Sequence, residues 1–117
     1  EMYPEYFLPS LEDCVDQSDI AMLHTHSLGH KIVPLFATIE KIKLIEISND
    51  PKSPRAVEVF SKYQAELSEK IVIIKPSIDE IIQNKSLLAQ SKTIIVYTAN
   101  SLDEAKCGVE VVKNIHK

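Results

Sequence analysis

The sequence predicts a three-layer α/β domain, built on a doubly wound and mainly parallel sheet of about four strands. Four short aliphatic runs each end in a polar cluster, at residues 24–27, 48–50, 75–77 and 98–101. The segments between these runs have apolar residues at helical spacing, and strands that alternate with helices are typical of parallel sheets. Rossmann-like and flavodoxin-like strand orders both fit this pattern.

The amino-terminal part is expected to begin with an extended arm over residues 1–10, because its prolines, Pro9 among them, disfavour a helix. Ser10 has the character of an N-cap for a short helix over Leu11–Gln17. The first strand is then expected over residues 19–24.

The segment Leu28–Glu40 has apolar residues along one helical face, so it predicts the first crossover helix. Pro34 lies inside this segment and cannot donate a backbone hydrogen bond, which predicts a kink or a late helix start near Val33. The second strand is expected over residues 42–47.

The turn-rich segment that follows ends in Ser53 and Pro54, which predict an N-cap and a first-turn proline. The helix that they open is expected to end near Lys70. Residues 70–75 then form the third strand, and its consecutive aliphatic residues are typical of a strand buried on both faces.

The carboxyl-terminal part contains two further helices and the last strand. Ser77 and Glu80 have the spacing of a capping box, which predicts a helix start at that point. Residues 84–86 are expected to break or bend this helix. The fourth strand is expected over residues 93–98, and Ser101 is expected to cap the last helix.

The length of 117 residues and the composition indicate one globular domain. The first residue is Glu1 rather than Met, so this domain is expected to be a possible excised part of a longer chain. A preceding strand or further domains could then be missing. A net charge of -4 argues against nucleic acid as a partner, and no apolar run reaches the length of a membrane span. Two cysteines, Cys14 and Cys107, are too few for a disulfide framework, so a reducing, cytoplasmic location is expected.

The densest group of chemically active side chains is His24, His26 and His30. His24 and His26 share one side of an extended chain, so both imidazoles could bind one divalent metal ion, with His30 approaching from the next turn. Glu46 or Asp50 could complete such a site. His26 is the candidate acid–base group, and the alternative interpretation is a polar strand end that caps the next helix.

Two glycines, Gly29 and Gly108, are too few for a glycine-rich phosphate loop. Binding of NAD through that motif is therefore not expected, and the cofactor is unknown. The segment around Ser53 and Arg55 offers a place for a phosphate group, with a solvent-facing capped loop as the alternative.

The most favoured function is a small-ligand-binding domain whose site lies at the carboxyl ends of the strands, with a phosphate-bearing or metal-assisted ligand. The predicted binding residues are His24, His26, Ser27, Asn49, Asp50, Lys75, Ser77, Thr98 and Asn100. The alternative is a non-catalytic regulatory or interaction domain that forms a homodimer or docks in a larger protein. The sequence does not decide whether the domain is an enzyme.

Two local resemblances to known protein families add to the prediction of an α/β ligand-binding domain. Residues 10–24 resemble the helix-to-strand segment of D-2-hydroxyacid dehydrogenases, which implies Rossmann-like packing. Tyr3-Pro4-Glu5, His26, Pro34 and the pair Cys107-Gly108 are similar in order to an uncharacterised prokaryotic family sometimes labelled thymidylate-synthase-like. This second resemblance implies a role for Cys107 and for the histidine segment.

Overall fold

The computed structural model describes residues 5–116 and has an α/β fold with a four-stranded, all-parallel sheet. This is the class that the sequence predicts. The strands are β1 (Ala21–His26), β2 (Ile42–Ser48), β3 (Ile71–Ile74) and β4 (Thr93–Ile95).

The helices lie between and beside these strands along the chain. They are α1 (Leu8–Asp16), α2 (Val33–Ala37), α3 (Ala56–Lys62), α4 (Ile78–Gln83), α5 (Lys85–Gln90) and α6 (Leu102–Lys113). Two 3₁₀ segments, Ser27–Ile32 and Asn114–His116, precede α2 and follow α6. Within the described residues, no helix is both long enough and apolar enough to span a membrane.

The strands stand in the order β1-β2-β3-β4, so each strand pairs with its neighbour in the chain. Both strand orders that the sequence left open contain a reversal, whereas the four described strands are arranged without one. His24 pairs in register with Glu46, and His26 pairs with Ser48. The sequential order therefore places the polar ends of β1 and β2 side by side.

The two faces of the sheet differ in burial. Ile45, Ile47, Val72 and Ile74 are at most 1% exposed and form one core with residues of the helices. The opposite face carries Met22 and Ile94, which are 56% and 45% exposed, among half-buried neighbours. The buried face of the sheet thus packs against the helices, as expected for an α/β fold.

The amino-terminal segment differs from the extended arm that the sequence predicts. Residues 5 and 6 are helical, and α1 begins at Leu8, with Phe7 at its N-cap and Pro9 in its first turn. Proline is tolerated in the first turn because the N–H that it lacks would have no intrahelical partner there. The prediction for residues 1–4 lies outside the described residues.

Several further boundaries were wrong, and one was confirmed. The helix α3, expected to end near Lys70, ends at Lys62. The N-cap of α3 is Arg55 rather than Ser53, since the Arg55 backbone N–H donates to Glu58 in a capping arrangement. The last strand ends at Ile95, before the predicted residue 98. The late start near Val33 is confirmed, because α2 begins at that residue with Pro34 in its first turn.

Candidate functional site

The first part of the site is a pair of imidazoles on β1. His24 and His26 lie two residues apart in an extended strand, so both side chains project from the same face. Their Nε2 atoms are 3.0 Å apart, and the rings meet edge to face with centroids separated by 4.9 Å. Both side chains are about half exposed, at 48% and 54%. The strand thus presents two ring nitrogens at one accessible point.

A carboxylate holds the other nitrogen of each ring. Nδ1 of His24 lies 2.8 Å from Glu46 Oε2, and Nδ1 of His26 lies 2.8 Å from Asp50 Oδ1. The first contact follows from the β1–β2 register, whereas Asp50 comes from the loop after β2. The four side chains form one continuous hydrogen-bonded chain, which we call the histidine network: Glu46, His24, His26 and Asp50.

Asp50 is held in place by the chain that follows β1. Its Oδ2 accepts a hydrogen bond from the Leu28 backbone N–H at 2.9 Å, and its own N–H donates to Ser27 Oγ at 3.0 Å. The Leu28 N–H and then His26 keep the pKa of the Asp50 carboxyl below its ordinary value. Ser27 is fully buried, so it positions Asp50 rather than facing solvent.

The hydrogens of the network depend on the tautomers of the two rings. An Nδ1 atom that carries a hydrogen donates it to its carboxylate, and the two Nε2 atoms can bond to each other only if one of them carries a hydrogen. Without that hydrogen, the lone pairs of both Nε2 atoms are available to a ligand.

Asn49 connects the histidine network to the rest of the strand ends. Its Nδ2 donates to the backbone oxygen of Lys75 at 3.1 Å, and its Oδ1 accepts from the N–H of Ala56 at 2.8 Å. One side chain thus joins the ends of β2 and β3 to the start of α3. Its contribution in this structure is to position the backbone beside Asp50.

The second part of the site is an open pocket of about 440 Å³ beyond the ends of β3 and β4. This volume lies within the range of small-ligand sites. Three of the residues predicted from the sequence, Lys75, Ser77 and Thr98, line it. Its other polar lining residues are Arg55, Tyr97 and Glu104.

The two cationic side chains that line this pocket differ in their ion pairing. Arg55 forms a two-pronged ion pair with Glu80, at 2.7 Å from Nε and 3.1 Å from the terminal nitrogen, which raises the pKa of Arg55 and lowers that of Glu80. Lys75, by contrast, has no ion-pair partner within residues 5–116. The ammonium of Lys75 is therefore the cation available to a ligand.

A carboxylate, that of Glu104, also lines the pocket. Glu104 Oε2 accepts from the Asn100 N–H at 2.7 Å, and Oε1 accepts from the Tyr97 hydroxyl at 2.9 Å. These two bonds hold the pKa of Glu104 below its ordinary value, while burial and then Glu104 raise the pKa of Tyr97. Asn100, a predicted binding residue, thus acts here through its backbone on Glu104.

His30 does not join the other two histidines. Its ring lies beside that of Tyr63, with centroids 6.4 Å apart, and its buried Nδ1 has no hydrogen-bond partner. In the part of the chain that the structure describes, no group of three or more histidine, cysteine or acidic residues is placed to hold a metal ion. Any metal bound at the network would have two protein ligands and open positions.

Sequence reasoning missed Tyr97 and Glu104 as pocket residues, whereas it named Arg55, with Ser53, as a place for a phosphate group. The signal for Glu104 was its spacing from Ser101, which caps α6 through a bond from the Glu104 N–H to Ser101 Oγ of 3.1 Å. That spacing places the Glu104 side chain near the helix start, but only the packing of α6 beside β4 directs it to Tyr97.

Comparison of the chain with protein-family models, with curated proteins and with solved structures finds no match. The two local resemblances stay predictions, and function is inferred from the site alone.

Proposed function

We propose that this domain binds a small phosphate-bearing molecule at the carboxyl ends of its strands. The observation that carries the proposal is the pocket beyond β3 and β4, which is lined by Lys75 and by the hydroxyl residues Ser77 and Thr98. Among residues 5–116, the Lys75 ammonium has no ion-pair partner. An ammonium and hydroxyl donors are suited to phosphate oxygens. In parallel sheets, ligands collect at this end of the strands.

The carboxylate of Glu104 in the pocket lining supports a ligand that has hydroxyl groups as well as a phosphate. Glu104 is an acceptor held at the pocket by Asn100 and Tyr97, and a carboxylate accepts hydrogen bonds from a sugar hydroxyl. A sugar phosphate combines both chemistries, so it is the ligand class that fits Lys75 and Glu104 together.

The test is a thermal-shift series with inorganic phosphate, sugar phosphates and nucleotides, in metal-free buffer with a chelator. A ligand at one hundred times its Kd stabilises the native state by about 2.7 kcal/mol. We expect a sugar phosphate to raise the melting temperature of the wild type and of Lys106→Ala, an exposed lysine away from the pocket. Lys75→Ala is expected to lose the shift.

Absence of a shift with every phosphate compound, or an unchanged shift in Lys75→Ala, would refute the proposal. The control holds the net charge equal in the two variants, so a general charge effect cannot account for a difference between them.

The second candidate, an interaction domain that forms a homodimer, is favoured by the exposed sheet face. The accessible surface is 7522 Å², whereas a compact monomer of 13.2 kDa exposes about 6,400 Å². The radius of gyration is 15.4 Å, against about 13 Å for a compact domain of this length. The difference in area is comparable with the roughly 800 Å² that one partner buries in a standard interface.

A further inference from the structure

We infer that the His24–His26 pair is a binding site for a divalent transition-metal ion such as Zn²⁺. The inference concerns the histidine network, and it is independent of the phosphate pocket of the proposed function. Metal binding itself is argued from the imidazoles and their carboxylate partners.

The first argument is the separation of the Nε2 atoms. Two nitrogen ligands of a tetrahedral zinc ion, each about 2.0–2.1 Å from the metal, lie about 3.3 Å apart. The observed separation is 3.0 Å. Binding therefore requires the Nε2 atoms to separate by a few tenths of an ångström and the rings to turn until both lone pairs meet at the ion, which side chains that are half exposed can do.

The second argument is the partner of each Nδ1. Histidines that bind metal almost always donate the second ring N–H to a carboxylate, a carbonyl or water, which orients the ring and raises its basicity. Here both rings have a carboxylate at 2.8 Å, from Glu46 and from Asp50. The two Nδ1 atoms are thus engaged, and the Nε2 atoms are the ring nitrogens left to bind an ion.

The third argument is charge. Glu46 and Asp50 each have a carboxylate oxygen 2.8 Å from one of the two rings, so two carboxylates flank the imidazole pair. Imidazoles bind metal in the neutral form, and a divalent ion held by them would bring the positive charge that these two carboxylates attract.

Two imidazoles fill only half of a tetrahedral shell, so two positions stay open to water or to a ligand oxygen. Catalytic zinc sites keep an open position for the same purpose, although they usually have three protein ligands. The site is therefore expected to be weaker than a structural zinc centre and to prefer ions that imidazole suits, Zn²⁺, Cu²⁺, Ni²⁺ and Co²⁺, over Mg²⁺.

The experiment is calorimetric titration of the whole chain with Zn²⁺ and with Mg²⁺, together with visible absorption of the Co²⁺ complex, all without any phosphate ligand. We expect one zinc ion per chain, a cobalt spectrum with imidazole ligands, and no binding of Mg²⁺. The double variant His24→Ala/His26→Ala is expected to lose both signals, whereas His116→Ala, at an exposed site in the last turn, is expected to keep them.

Glu46→Gln and Asp50→Asn test the role of the carboxylates without removing a metal ligand. Each is expected to weaken zinc binding about 10- to 100-fold. Circular dichroism of each variant confirms that it is folded before titration.

Zinc affinity that is unchanged in the double histidine variant, or wild-type protein that binds no transition metal, would overturn the inference. The phosphate test is run in the presence of a chelator and depends on Lys75, whereas the zinc titration contains no phosphate and depends on His24 and His26. The two tests can therefore fail separately. Failure of zinc binding leaves the phosphate proposal standing, and failure of phosphate binding leaves the metal site standing.

Discussion

Replacement of Gly108 by alanine tests how tightly α6 packs on Tyr97, two residues beyond the end of the last strand. A Cβ atom added at Gly108 would lie 2.6 Å from Cδ1 and 2.7 Å from Cε1 of Tyr97. Ordinary contacts at such a position begin near 3.4 Å, so the ring or the helix must move by close to 1 Å. The hydrogen bond from the Tyr97 hydroxyl to Glu104 opposes movement of the ring.

The expected magnitude follows from two opposing effects. Alanine in a helix interior is favoured over glycine by about 1 kcal/mol. Overpacking of a fitted contact costs about 1–3 kcal/mol. We therefore expect Gly108→Ala to lower the free energy of unfolding by up to about 2 kcal/mol, as measured by urea denaturation with unchanged slope.

Gly29 provides the matched control. A Cβ atom there would lie 4.0 Å from Ile32 and Thr25 side chains, and the residue has an ordinary negative φ of -88°. Gly29→Ala is thus expected to be neutral or to stabilise the protein by up to about 1 kcal/mol, because it restricts the unfolded chain. In a Tyr97→Ala background, Gly108→Ala should also become stabilising. The packing argument is refuted if Gly108→Ala stabilises the wild type as much as Gly29→Ala does.

Two further predictions concern Lys70 and the exposed sheet face. Lys70 is 6% exposed, its ammonium donates to the Ile39 carbonyl at 2.8 Å, and burial lowers its pKa. The folded state therefore releases this proton at a lower pH than the unfolded state does. The free energy of unfolding of the wild type should rise relative to that of Lys70→Met as the pH approaches 10.5. Parallel profiles of this free energy against pH for the two proteins would contradict the prediction. For the exposed sheet face, light scattering is expected to give the wild type a mass of about twice 13.2 kDa and Ile94→Lys the mass of the monomer. The control Ile82→Lys, on an exposed helix surface, is expected to stay a dimer. A monomeric wild type would exclude the homodimer.

Local signals in the sequence predicted much of the element order. The capping pair Ser77–Glu80 is present, with Ser77 Oγ accepting from the Glu80 N–H and Glu80 accepting from the Ser77 N–H. The helix break at Asn84 and the late start of α2 are also present, because each depends on residues within one turn. The spacing of His24 and His26 likewise predicted that their rings share one side.

Features that depend on distant residues could not be predicted in this way. The cap of α3 is Arg55, whose side chain is held by Glu80, a residue of another helix. The strand order is set by which aliphatic faces meet, and the four runs are too similar in composition to specify it. The pocket wall at Glu104 depends on how α6 lies over β4, which no local pattern records.

The sequential order of the strands also has a consequence for folding. Each strand pairs with the one that the chain has just completed, so a growing sheet adds one strand and one helix at a time. Parallel sheets usually fold slowly, since distant segments must meet before their contacts stabilise them. Here one crossover separates each pair of neighbouring strands, with β2 and β3 at the centre of the sheet and β1 and β4 at its margins. The pairing of β1 with β2 runs over six residues, whereas β4 pairs with β3 over only three. The margin at β4, next to the pocket, is therefore the part that can open while the rest of the sheet stays folded.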